Sequence, residues 1–224
     1  MLNYLLPIVA VLAGYIFVVV FKFKKQHTLK LFLAFSGAFL LSITVFTLLP
    51  ELYHHNTEKH IGIFIMLGIL LQVFLEFFSK GAEHGHMHHD ERLKTFPWLL
   101  FISLSIHSIL EGIPIHNHHS LLWGIIIHKV PVAIILSTFF LKAAIDRYKS
   151  SLFLILFALM TPLGSYLSGT FEFIADYYFE ISAVVVGIFL HISTVILFES
   201  SEGHRFNLRK LLVIILGTLC AYFI

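Results

Sequence analysis

The sequence predicts an all-α integral membrane protein. Eight transmembrane helices are expected, arranged as two three-helix inverted repeats flanking a central helix pair (3+2+3). Three observations lead there. Of the 224 residues, 58% are hydrophobic and 12% charged, whereas a soluble domain is about one quarter charged. Apolar runs of about 20 residues, the length that crosses a hydrocarbon core, recur along the whole chain. Lys and Arg gather in alternate connections between those runs.

The runs fall at about 2–22, 29–50, 61–79, 97–116, 120–142, 150–169, 180–199 and 209–224, and the last is short for a full span. Met1 to Phe21 lacks the basic leader and small-residue cleavage site of a signal peptide, so it reads as a first membrane helix. No linker or long polar insert divides the chain, which reads as a single transmembrane domain over 1–224, with a His-rich loop at about 80–95. The single cysteine, Cys220, lies in the last run, which excludes an intrachain disulfide and a Cys-based metal site. The lipid bilayer is the expected partner, and nothing in the formal charge of +2 suggests nucleic acid.

Charge sets orientation. The first connection carries Lys22, Lys24, Lys25 and Lys30, the third Lys80, Arg92 and Lys94. The fifth carries Lys142, Arg147 and Lys149, the seventh Arg205, Arg209 and Lys210, and the even connections hold only Lys59. Odd connections are therefore expected in the cytoplasm and both termini outside. The sixth, with Glu172, Asp176 and Glu180, is purely acidic, an outer face suited to attracting cations.

The repeat is read from three matches in the same order. Gly37-Ala38-Phe39-Leu40 in the second run is answered by Gly187-Ile188-Phe189-Leu190 in the seventh. Pro7, Leu12 and Gly14 in the first have the spacing of Pro162, Leu167 and Gly169 in the sixth. Leu67-Gly68-Ile69-Leu70 in the third matches Leu216-Gly217-Thr218-Leu219 in the eighth. By the charge pattern, each matched pair crosses in opposite directions, which is a transporter architecture with binding at the repeat interface.

Between the repeats lie the chemically informative residues. His107 and Glu111 stand four apart, on one face of a helix. With a turn at about residues 116 to 120, His128 on the next run reaches similar depth, ~12–14 Å below the outer end at ~1.5 Å per residue. Ionisable groups at that depth are costly and mark function by default; imidazole and carboxylate together suit a borderline divalent metal. A lone membrane His is often a hydrogen-bonded packing residue instead, but three groups converging at one depth favour a metal site. Pro114 and Pro131 follow Glu111 and His128 by three, which should kink the helices and free the Leu110 and Ile127 carbonyls.

The stretch His107-Ser108-Ile109-Leu110-Glu111-Gly112, followed by His128-Lys129, resembles the paired motif of the ZIP (zinc/iron permease) metal transporters. Pro50-Glu51 is similar to the family's motif at the outer end of the second segment. The resemblance implies uptake of a divalent cation toward the cytosol, with the central pair and the sixth segment moving against the second and seventh, and a homodimer. It also implies a second metal position in many members, built by acidic residues that here are Lys129, Val132 and Thr161. Their replacement argues for one metal, with the Lys129 ammonium standing in for the second cation and pairing with Glu111; pairing with Glu76 is the alternative. Ser108, Gln72, Glu76 or His191 are candidates to complete the shell of His107, Glu111 and His128.

Glu51, His54 and His55 at one outer corner, and His116, His118 and His119 at another, are candidate entrance residues, with solvated polar ends as the bland reading. His84, His86, His88 and His89 form a candidate cytoplasmic metal-binding loop. The expected function is transport of zinc, or of iron or manganese, by alternating access in a bacterial inner (plasma) membrane. The metal is substrate; no cofactor and no enzymatic activity are expected. The rivals are a zinc-dependent membrane hydrolase, which no His-Glu-x-x-His motif supports, and a haem carrier using His107 and His128.

Overall fold

The computed structural model describes residues 1–21, 26–55, 59–79, 81–82, 96–116, 119–142, 145–199 and 208–224. The His84–His89 tract and His118 lie outside the described residues. The described residues are overwhelmingly helical. In order they form α1 (Leu2–Phe21), α2 (Gln26–Ile43), a π-helical turn (Thr44–Leu48), α3 (Leu49–His55) and α4 (Lys59–Ser79). These are followed by α5 (Trp98–Gly112), a 3-10 turn (Pro114–His116), α6 (His119–Lys142), α7 (Arg147–Thr170), α8 (Glu172–Asp176), α9 (Tyr178–Glu199) and α10 (Leu208–Tyr222).

Six of the described helical stretches are long and apolar enough to cross a membrane: Leu2–Phe21, Thr28–His54, His60–Ser79, Leu121–Leu141, Arg147–Thr170 and Tyr178–Phe198. Helices α5 and α10 have 15 residues each, about 22 Å at 1.5 Å per residue and short of a full hydrocarbon core. The apolar run expected to stay helical to residue 116 breaks after Gly112. Pro114 has no N–H to continue the ladder, and the chain tightens into the 3-10 turn. The carbonyl of Leu110 is not freed, because it accepts from the Ile113 N–H at 3.2 Å. Pro131, in contrast, sits inside an uninterrupted α6.

The π-turn was not foreseen. Pro50 would press its ring on the carbonyl four residues earlier, and the chain widens in the turn just before it. The Leu49 N–H bonds the Thr44 carbonyl, five residues back, and the helix then resumes into α3. At the other end of the molecule, the Asp146 carboxylate caps α7 by accepting from the Tyr148 N–H at 3.3 Å.

Two apolar cores organise the packing. One gathers Phe39, Leu40 and Ile43 of α2 with Ile188, Phe189 and Ile192 of α9 and Ile125 of α6. The other gathers Val11 of α1, Leu104 of α5, Ala133 and Leu136 of α6, and Phe153, Leu154 and Phe157 of α7. The helices pair accordingly. Around the first core, α4 packs on α9, α10 on α2, and α2 on α9. Around the second, α1 packs on α6 and α7, and α5 on α7. The two groups meet chiefly where α2 crosses α6 and α4 crosses α5.

Several of these pairings depend on glycine. A Cβ at Gly112 would lie 2.2 Å from the Thr161 carbonyl oxygen, and one at Gly164 2.0 Å from that of Ile109. The α5 and α7 backbones therefore touch, which brings Thr161 against the end of α5. Gly68 and Gly187 make the same kind of junction between α4 and α9, each 2.0 Å from a backbone oxygen of the other helix if given a Cβ. Such close approach is how helices associate where no hydrophobic effect drives them together.

Candidate metal-transport site

Helices α5, α6 and α7 converge on a small cavity lined by Leu104, His107, Glu111, His128, Lys129, Val132 and Phe157. His107, Glu111, His128 and Lys129 are all buried, none more than 3% exposed. The cavity forms because α5 presents positions 104, 107 and 111 on one side, the spacing of one helical face. Helix α6 does the same with 128, 129 and 132.

Glu111 is the centre of the polar network. Its Oε2 lies 3.2 Å from His107 Nε2, one turn away on α5. Its Oε1 ion-pairs with Lys129 Nζ and accepts from the Thr161 hydroxyl at 2.8 Å. Lys129 also donates to Ser108 Oγ at 3.2 Å, and its ammonium stands 4.8 Å from the centre of the Phe157 ring. A carboxylate, a hydroxyl and an aromatic face thus surround the ammonium, the usual recognition set for a buried cation. Desolvating either charge alone would be expensive, and the pair is tolerable because each answers the other.

Of the two partners weighed for Lys129, the geometry selects Glu111. Glu76 is taken up elsewhere: His191 Nε2 and Glu76 Oε2 lie 2.7 Å apart, joining α9 to α4. Neither of these, nor Gln72, lines the cavity. Ser108 reaches the network only through Lys129. Among the described residues, no group of three or more His, Cys, Asp or Glu side chains is gathered into a metal-holding cluster. The carboxylate that would anchor one has Oε1 engaged by Lys129 and Thr161, while Oε2 faces His107.

Thr161 is the residue that sequence reasoning missed. It was noted only as the absence of an anion, yet its hydroxyl is fully buried and holds Glu111. The available signal was Gly112 next to Glu111 and Gly164 three residues past Thr161, two small residues that let the helices touch. Of the entrance candidates, Glu51 is half-buried and His54 exposed on α3, where His55 also lies. His116 belongs to the 3-10 turn and His119 begins α6. All belong to the helix ends on one side of the bundle, where the Asn3 side chain donates to the Ile115 carbonyl at 3.2 Å.

Comparison with known proteins bears on the family. A family model described as ZIP Zinc transporter matches residues 79–224. Zinc transporter ZIP9-B and Zinc transporter ZIP9-A of Xenopus laevis are each 25% identical over 162 residues, covering 63% of this chain and 53% of theirs. The chain thus spans about half the length of the curated relatives it matches. The match takes in α5, α6 and α7, and with them every residue lining the cavity, so this chain of apolar helices around a buried His–Glu–Lys network belongs to the ZIP zinc transporter family.

Proposed function

We propose that the chain carries a divalent cation across a membrane toward the cytosol by alternating access, with zinc as the first candidate and iron or manganese as alternatives. The observation that carries this reading is the convergence of His107, Glu111 and His128 on one buried cavity between α5, α6 and α7. Two imidazoles and a carboxylate suit a borderline ion, and a catalytic-type open shell completed by water suits an ion that must also leave. Zinc is also what the two Xenopus laevis relatives are named for.

The wider architecture in this reading is eight spans in a 3+2+3 inverted repeat. One repeat is α1, α2 with its continuation α3, and α4; the other is α7, α9 and α10; α5 and α6 form the centre. Part of the packing supports it, because two helix pairs have the counterparts that the repeat requires. The contact of α4 with α9 has its counterpart in α10 with α2, and α1 with α6 has its counterpart in α7 with α5. The matched glycines Gly68 and Gly217 both sit at such contacts. A homodimer in a bacterial inner membrane, both termini outside, completes the proposal on the strength of the family resemblance and the charge pattern.

One metal per transport site is expected. Two divalent ions a few ångströms apart in a low-dielectric interior repel strongly and need bridging carboxylates. Glu111 alone serves the cavity, and Lys129 already brings it a positive charge. The test is uptake by proteoliposomes: His107→Ala, Glu111→Ala and His128→Ala should each bring zinc flux to background at equal expression. Undiminished uptake in any two of them removes the assignment. Two tight equivalents of zinc in a chain lacking the His84–His89 tract, both lost on Glu111→Ala, would contradict the single-ion site.

A further inference from the structure

The Glu76–His191 pair is not absorbed by the transport site, and its surroundings are those of a cation site of its own. We propose that Glu76 and His191, with Gln72 one turn back on α4, form a second and weaker station for a borderline divalent cation, displaced from His107 by about one turn along the helix axis toward the α4 C-terminus. By the charge pattern that end faces the cytosol. The placement of the station on the ion's path rests on the transport reading; its capacity to bind a cation does not.

Position comes first. Ser103 of α5 donates to the Leu75 carbonyl of α4 at 2.6 Å, which sets the two antiparallel helices side by side at the level of Glu76. His107 lies four residues further along α5, roughly 6 Å away along the axis. Gly68, Gln72 and Glu76 are spaced by four on α4, so they share a face, and Gly68 lies against the Val184 backbone of α9. That face therefore looks into the bundle, while Leu70, Phe74 and Phe77 are the exposed row of the same helix.

Access and chemistry come next. The side chains of His191 and Glu76 are 15% and 27% exposed, against 4% and 0% for His107 and Glu111. The pair is thus less tightly enclosed than the transport site. The two donor atoms already converge, at 2.7 Å. Ligand bonds of ~2.0–2.1 Å at a tetrahedral angle place donors ~3.3 Å apart, so a shift of about half an ångström admits an ion between them. The Gln72 amide and water supply further oxygen donors. With one carboxylate and one imidazole the site is weaker than the transport site, which has a second imidazole.

The bland reading is a hydrogen bond that staples α4 to α9, and one substitution separates the two. Glu76→Gln keeps a side chain that bonds His191 but removes the anion. The experiment uses the full chain in detergent, with His84, His86, His88 and His89 changed to Ser, and Co2+ alone as the probe. Equilibrium dialysis counts bound ions and visible d–d absorption reports imidazole ligation. Two classes are expected, one tight and lost on Glu111→Ala, one weaker and retained there. The weaker class should lose at least about 100-fold in affinity in both Glu76→Gln and His191→Gln, the upper end of what loss of a mere outer partner costs. No change in the weaker class with either substitution, or loss of both classes on Glu111→Ala, overturns the proposal. Should the His107, Glu111 and His128 variants transport normally, the transport reading fails while the Co2+ count at Glu76 still stands or falls by itself.

Discussion

The helix junctions on the two sides of the polar cavity are built from different material. Between α5 and α7 the backbones touch through Gly112 and Gly164, where a Cβ would run into carbonyl oxygens at 2.2 and 2.0 Å. Between α2 and α6, a Cβ at Gly124 would meet only the Ile43 and Leu40 methyl ends, at 3.2 and 3.7 Å. The first junction carries the polar network, since Thr161 of α7 bonds Glu111 of α5. The second is apolar, with Leu40, Ile43, Leu122 and Ile125 buried along it. Backbone-to-backbone contact has one fit and resists sliding. A surface of methyl groups has no directional bonds to break and can pass from one packing to another. Under the alternating access proposed above, α5 and α7 would travel together with the site, and the α2–α6 surface would be where motion is admitted.

The strongest way to break that contrast is to tie the apolar junction. In a Cys220→Ser background, a disulfide between Ile43→Cys and Gly124→Cys should bring zinc flux to background, and reductant should restore it. Full flux with the cross-link complete would show that α2 and α6 do not move past one another. A smaller effect separates the glycines themselves. Gly164→Ala must push two backbones apart and should cost about 2–3 kcal/mol, whereas Gly124→Ala should lie within about 1 kcal/mol of the parent, helped by alanine's helix propensity. Thermal unfolding of the purified variants in detergent compares them, and equal shifts would erase the distinction. An effect of similar size tests the polar seam of the tight junction. Thr161→Val removes one hydrogen bond to a charged oxygen and should cost about 1.5–3 kcal/mol, with Thr161→Ser close to the parent in both stability and zinc affinity. If Val and Ser behave alike, the Thr161 hydroxyl is not what holds Glu111.

The helices were legible because membrane spans announce themselves by length. The run read at about 120–142 became His119–Lys142, and that at 180–199 became Tyr178–Glu199. Departures came where proline acted on the backbone locally. Pro114 ended α5 early and Pro50 was preceded by a π-turn, whereas Pro131 left α6 unbroken. Neighbouring helices decide which of these responses is available, and a single run does not contain them. The short α8 was missed because the acidic stretch around Glu172 was read as a connection.

For the site, the sequence by itself determined which ionisable side chains lie inside apolar runs and which of them share a helix face. His107 and Glu111 at a spacing of four, and His128 at matching depth on the next run, follow from helix geometry alone. The departure from the family motif at Lys129 suggested Glu111 as its partner, with Glu76 left open. What only the tertiary structure decided is how shared partners are allotted. Glu76 was as good a candidate for Lys129 as Glu111 until α9 placed His191 against it. Thr161 had no visible role until Gly112 and Gly164 let α7 approach within hydrogen-bonding range of Glu111. The reason is physical: periodicity along one helix sets the direction in which a side chain points, but hydrogen bonds and ion pairs act over about 3 Å. Distances on that scale between different helices are set by how closely their backbones pack.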